Sequence, residues 1–401
     1  MANDVFTLNT DLEVSLYTYA SDVFIWGVTR WNDGDKWNNG TATQSWVDFS
    51  GSIASVEISN GTFIEQGLTR PEPATATIVF QDSNYDPFNN LTVRTGTPIR
   101  IRVRPNPDTD PTTWVTLFQG KIDNASASYN EYFRNTVTLT CVTNLRDYLN
   151  YSIVDGFTTA AVSQYAWNFI DDMAVFFTGN GIVYDSAYSG YLLEGIDTTD
   201  PVNIGEVMNQ LLDANLGALV YQPITSNPFN LAYYYTQEQL GNIDTATSVL
   251  DFESTTSANA LRASFYDLTI GYDTEQIVNE VKLETVSGYG PVVKKNYNSV
   301  SLYGSLASEV VTRHYNDADA NTWITQVTLA EPQRRVLDIS ASVINRDGTV
   351  NENLLREPMN VCNVSISNAN LTLDENYYIT RVNYSLTPDQ WLTSMELWRG
   401  R

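Results

Sequence analysis

The chain has 401 residues, a formal net charge of −25 and hydrophobic and aromatic fractions of 42% and 12%. So acidic a chain is ill suited to gripping nucleic acid, which relies on Lys and Arg displacing counterions, and its two cysteines make neither a disulfide framework nor a zinc site. The length accommodates two or three domains, and recurrent Val, Ile, Thr and Tyr runs lean towards β-structure.

Within residues 1–50, Phe6, Leu8, Leu12, Val14 and Leu16 alternate with polar residues, the period of a half-buried strand. An aromatic, glycine-rich patch follows, with Trp26, Trp31 and Trp37 among Asn, Asp and Gly, and Trp46 shortly after. Such a patch packs a loop, anchors a partner or lines a sugar-binding face. From 50 to 150 the strand signals are regular. Ala54, Val56 and Ile58 alternate towards a turn expected at Asn60-Gly61, and Ala76, Ile78 and Phe80 alternate again.

The stretch Gly96–Asn124 reads as two strands and a turn. Ile99, Ile101 and Val103 take one face; Arg100, Arg102 and Arg104 take the other. Pro105, Pro107 and Pro111 punctuate the turn. Trp114–Phe118 continues to Gly120, where a bulge or a close backbone approach is expected, and Ile122 carries the strand on. The arginine stripe faces either carboxylates of its own domain or an acidic neighbouring subunit. Val137, Leu139 and Cys141 alternate in a further strand.

Beyond 150 the period lengthens. Val162, Ala166, Phe169, Ile170, Met173 and Phe177 recur at helical spacing. Ile204, Val207, Met208, Leu211 and Leu212 form a second stripe, with Asp200 and Pro201 suited to its start and Gly217 to its end. Strands are expected at 218–221 and 231–235. From about 273 strand signals return at Ile277–Leu283, Val336–Val343, Pro358–Val361 and Val364–Ile366. A helix is expected near 318–330, and a closing hairpin spans Tyr377 to Trp398. The expected organisation is three blocks: a β-barrel over 1–150, a smaller α+β domain over 151–272, and a second β-rich domain over 273–401.

Catalytic chemistry has little to stand on. His314 is the one histidine, and triads and histidine metal sites need a suitably placed imidazole, most of them more than one. Asp317-Ala318-Asp319-Ala320-Asn321 resembles the start of a calcium loop, but Thr322 occupies its glycine position and Thr328 its glutamate position. A pair of carboxylates could serve a glycosidase, yet the sequence nominates none. No enzyme activity, metal or cofactor is expected. No apolar stretch approaches the ~20 residues of a membrane-spanning helix. Met1–Phe6 lacks the features of a secretory signal, so synthesis in a cytoplasm is expected.

The order Ile53–Gly61, Ala74–Phe80, Gly96–Val103 and Leu117–Ile122 resembles the opening domain of tail hub (minor tail) proteins of long-tailed bacteriophages. Val137–Leu149 resembles the same family's strand-to-short-helix boundary, Ile277–Val281 with Ser299–Gly304 its second tube-like domain, and Tyr378–Trp398 its closing hairpin. The resemblance implies two tube-like β-barrels per subunit flanking the α+β block, and a homotrimer whose six barrels match a six-fold tail tube. It implies a place at the tail tip, in the baseplate of the virion. Implied partners are a distal tail protein, the tape-measure protein and the central fibre or tip proteins, with DNA passing through during genome ejection without specific binding. Arg100, Arg102 and Arg104 then become candidate subunit contacts, and Trp26, Trp31 and Trp37 a candidate aromatic contact patch. The alternative functions are a carbohydrate-binding adhesin module and a carboxylate-based glycosidase.

Overall fold

The computed structural model describes residues 12–19, 44–48, 53–81, 95–104, 114–128, 136–153, 163–178, 182–184, 190–195, 202–223, 231–235, 243, 248, 250–253, 262–263, 267–272, 277–329, 337–345, 355–367, 372–387 and 391–399. The fold is mainly β with few helices. Its N-terminal strands are β1 (Leu12–Tyr19), β2 (Gln44–Asp48), β3 (Ile53–Glu65), β4 (Leu68–Pro71), β5 (Thr75–Gln81), β6 (Pro98–Val103), β7 (Val115–Ser128) and β8 (Thr136–Val142). They pair in the order β3-β5-β8-β7-β6-β1-β2, with β4 as a short partner of β3. The two-residue period decides which face is buried. Leu12, Val14, Leu16, Val56, Ile58, Ile78, Ile99, Ile101, Val103, Phe118 and Leu139 all turn into one core.

The long strand Thr372–Leu386 joins the two β-rich ends. Its residues Arg381–Leu386 pair antiparallel with Gly61–Val56 of β3. On its other flank it pairs with Trp391–Trp398, which pairs in turn with Leu337–Asn345, and that strand with Asp267–Tyr272. Leu250–Glu253 lies parallel to Val361–Ser367. One curled sheet of fifteen strands therefore holds strands from both ends of the chain, and Leu250–Glu253 and Asp267–Tyr272 are tied to its C-terminal portion.

The expected turn at Asn60-Gly61 is instead the middle of β3, which runs unbroken for 13 residues. Both residues are used at the join. The Asn60 amide donates to the carbonyl of Tyr221 at 3.0 Å. At Gly61 a Cβ would fall 2.7 Å from the Thr380 carbonyl and 2.9 Å from Arg381 Cα, so glycine permits the strands to meet. The actual reversal is at Gln66-Gly67, both at positive φ.

Helices α1 (Leu145–Asn150), α2 (Ala166–Thr178) and α3 (Ile204–Asn215) cover the apolar face of the sheet. Phe169, Ile170, Met173, Val207, Met208 and Leu211 merge with strand residues from both ends of the chain, including Val382 and Met395, into a single core. Asn203 caps α3 by accepting from the Glu206 N–H at 3.2 Å; the sequence-expected Asp200 and Pro201 lie outside the described residues. At the other end the left-handed residue is Leu216 (φ 51°), and Gly217 already begins the strand Gly217–Tyr221. Burial of the Leu216 side chain offsets the conformational cost of its left-handed backbone.

A smaller unit spans 277–329. Strands Val292–Lys295, Glu280–Thr285 and Ala307–Thr312 lie in that order, with the helix Asp317–Leu329 on one face. Val281, Leu283, Val310, Trp323, Ile324 and Val327 form its core, which also takes in Leu68 and Leu216. The calcium-loop-like residues 317–321 are the first turn of that helix. Pro358-Met359, read as the start of a strand, form a turn before Val361–Ser367.

Candidate assembly surface

Ile99, Ile101 and Val103 are fully buried, so Arg100, Arg102 and Arg104 are turned to the opposite face of the sheet. There they meet β1, whose Glu13 is the register partner of Arg102. Arg102 grips Glu13 through both carboxylate oxygens, one of them at 3.2 Å from Nε, and Arg100 reaches the same carboxylate at 3.3 Å. The guanidinium of Arg100 stacks 4.4 Å above the Trp46 ring. Arg102 and Arg104 both lie over Trp114, at 5.2 and 5.3 Å. The stripe is thus a ladder of three arginines, one carboxylate and two indoles drawn from four segments of the chain. Both arginines that touch Glu13 use charge-assisted bonds, bidentate in the case of Arg102.

Burial pushes Glu13 up, but the hydrogen bonds from Arg102 and Ser15 and the charges of both arginines outweigh it, leaving the carboxyl below the usual range. Burial and then repulsion from Arg102 lower the Arg100 guanidinium, and Glu13 offsets part of this. Trp26, Trp31 and Trp37 lie outside the described residues.

The same sheet face continues past the stripe as mostly short polar side chains, with Glu57 and Leu392 among them. In one row of register partners stand Asn124, Thr140, Thr77, Glu57, Ser385 and Leu392. In the next stand Thr75, Ser59, Asn383 and Ser394. Both rows cross the β3 join without interruption. Where they cross, a shallow groove of about 300 Å³ lies over Glu57, Ser59, Thr75, Thr77, Asn383 and Ser385. Arg381 straddles the join, pairing with Glu72 of the N-terminal portion and with Glu396 at 3.5 Å.

The face was partly visible in the sequence as the alternation Thr136-x-Thr138-x-Thr140. Its continuation onto Asn383 and Ser385 carries no local signal. His314 is buried against Tyr191 and Trp323, at ring separations of 5.3 and 6.0 Å, and its Nδ1 shares a hydrogen bond with the Thr312 hydroxyl at 2.8 Å. Burial lowers its pKa to about 4, against a weaker opposing effect of the Ala214 backbone. Cys141 and Cys362 are both buried free thiols, and burial pushes Cys141 up to about 12.

No family model and no curated protein matches the sequence. Solved structures do match. A tail protein from Neisseria meningitidis MC58 superposes with a TM-score of 0.60 at 11% identity, over 97% of this chain and 96% of its own. The 43 kDa tail protein of prophage MuSo2 from Shewanella oneidensis gives 0.56 at 10% identity, over 97% and 98%. The chain shares its fold with phage tail proteins.

Proposed function

We propose that this chain is a structural tail-hub protein whose copies form a trimeric ring, joining the tail tube and distal tail protein to the central fibre or tip around the DNA exit channel. The observation that carries this reading is the continuous sheet. Two β-rich ends share one surface through β3 and Arg381–Leu386, so each subunit offers a single broad wall segment. The rows of Ser, Thr and Asn on it are short and mostly uncharged. Such a wall gives a passing polyanion few cations to bind. The tail-protein fold over nearly the whole chain supports a virion component with a non-enzymatic role. On this reading the tape-measure protein and the genome pass the polar face. The division into 1–150, 151–272 and 273–401 corresponds to first barrel, α+β block and second barrel, with strands of 250–272 contributed to the last.

In this reading the Trp46–Arg100–Glu13–Arg102–Trp114–Arg104 ladder is a stiff, pre-paired strip that a neighbouring subunit meets without having to order it. Solution mass and negative-stain imaging test the proposal. A trimer with a threefold ring is the expected result; a strictly monomeric mass with no ring overturns it.

A further inference from the structure

The unit 277–329 is rooted in one part of the chain and rests on another. It is inserted between the strands Asp267–Tyr272 and Leu337–Asn345, whose end residues Tyr272 and Leu337 are register partners in the C-terminal portion of the sheet. The contacts that hold it down come from earlier in the chain. Leu193 forms an antiparallel bridge with His314, while the Glu194 N–H donates to the Arg313 carbonyl at 2.7 Å and the Tyr315 N–H to the Leu192 carbonyl at 3.0 Å. The Trp323 indole donates to the Asp213 carbonyl in α3 at 2.7 Å, and the Tyr191 hydroxyl to Gln326 at 2.9 Å. With Leu68 and Leu216 in its core, the unit bridges the C-terminal strands to earlier segments at a second place, apart from the β3 join.

His314 lies in this seam, 1% exposed, against Tyr191 from the earlier segment and Trp323 from the unit's own helix. A proton on the ring puts an N–H on both nitrogens. Nδ1 has the Thr312 hydroxyl, but Nε2 has no hydrogen-bond partner, and the Ala214 backbone favours the cation less than burial disfavours it. The charged groups on the surrounding elements are engaged elsewhere. Asp213 of α3 is paired with Arg70, and Glu206 of α3 is exposed. Glu194 acts on Arg313, which donates to Gln210 at 2.8 Å. On the helix Asp317–Leu329, Asp317 is exposed and Asp319 accepts from Asn316 at 2.7 Å. No carboxylate among them pulls the imidazole towards the cation.

We propose that the unit 277–329 is an acid-released strap: when His314 takes up a proton, the unit lets go of α3 and of Leu192–Glu194 while the fifteen-strand sheet stays closed at the β3 join. The two bridges have different chemistry. The join is a backbone ladder from Val56 to Gly61, with no histidine in it. The seam has only two backbone hydrogen bonds around its bridge and a buried base at its centre. Burial holds that base at about 4, against about 6.5 in water. Below pH 6.5 the released unit therefore binds a proton that the docked unit does not, and docking weakens as pH falls, by about 80-fold at pH 4.5. Release uncovers the end of α3 and the edge of Leu192–Glu194.

Hydrogen exchange of the full chain at pH 7 and 4.5, corrected for the intrinsic rate at each pH, tests this. Peptides covering 192–195 and 313–315 are expected to lose protection at pH 4.5 by up to about 80-fold, while peptides covering 56–61 and 381–386 keep theirs. His314→Gln, neutral at both pH values, is expected to hold the seam peptides protected at pH 4.5. Seam and join losing protection together overturns the proposal, and so does a wild-type seam that stays protected at pH 4.5. A His314→Gln seam that opens as the wild type does overturns it too. Should that variant not fold, the wild-type comparison of seam with join decides by itself.

Discussion

The hydroxyl of Tyr221 accepts a hydrogen bond from the backbone N–H of Gln119 at 2.7 Å and donates one to the same residue's carbonyl at 2.9 Å. Pairing of β7 with β8 begins only at Lys121, so the tyrosine serves Gln119 where no β8 residue pairs with it. Tyr384 repeats the arrangement on Arg356, accepting from its N–H at 3.2 Å and donating to its carbonyl at 3.0 Å. At Gln119 the phenol stands in for a strand neighbour, and at Arg356 it satisfies the backbone of the segment that precedes Val361–Ser367. Tyr221→Phe leaves a backbone donor and acceptor without that partner. It is expected to destabilise the chain by about 1–3 kcal/mol, read as a lower urea midpoint at unchanged slope.

Gly61 tests the join. A methyl group there meets the Thr380 carbonyl and the Arg381 backbone, neither of which is the end of a flexible side chain. Gly61→Ala is expected to cost roughly 1–3 kcal/mol through forced displacement of the paired strands. A variant as stable as the wild type would mean the two strands do not pair so closely.

The arginine ladder predicts an asymmetry between two substitutions. Arg102→Glu sets a carboxylate against Glu13 and lowers the stability of the isolated chain; Arg102→Met removes attraction without adding repulsion and lowers it less. Guanidinium or urea melts of the unassembled protein rank the two. Equal stability of all three forms, with assembly lost only in Arg102→Glu, would assign the stripe to subunit contact alone.

Two groups give stability opposite origins but the same direction with pH. Glu13 is depressed in the folded state, so its contribution is present above the ordinary carboxylate pKa and is lost as pH falls through the folded value. His314 is a buried base held neutral, with a folded pKa of about 4. Below about pH 6.5 the unfolded chain binds a proton that the folded chain does not, so stability falls steadily until about pH 4, by on the order of 3 kcal/mol. His314→Gln is expected to flatten the stability profile between those pH values, and Glu13→Gln only below about pH 4.5. Urea midpoints at pH 7, 5.5, 4.5 and 3.5 separate them.

Much of this was legible in the sequence where local pattern and burial agree. The two-residue period of Ile99–Val103 and the helical stripe through Leu211 both predicted their buried faces. Gly120, expected as a bulge or a close approach, is the latter: its Cβ would lie 2.4 Å from the Val142 carbonyl. The misses share a cause in tertiary contact. Asn60-Gly61 reads as a turn in isolation, but its partners are Tyr221 and Arg381, far along the chain. Gly217 reads as a helix stop, but packing of Leu216 moves the left-handed residue back by one. The ladder was visible as arginines and hidden as a network, since Glu13, Trp46 and Trp114 stand on three other segments.

The pairing of β3 with Arg381–Leu386 also sets a timetable for synthesis. Gly61 and Arg381 are 320 residues apart, and a bacterial ribosome adds about 5–20 residues per second. The N-terminal sheet therefore waits roughly 16–64 s with the flank of β3 unpaired, an open edge of the kind that recruits foreign strands. Nascent chains of this protein depend on that edge being shielded until their last strands leave the ribosome, and a fragment ending before Arg381 never acquires its cover.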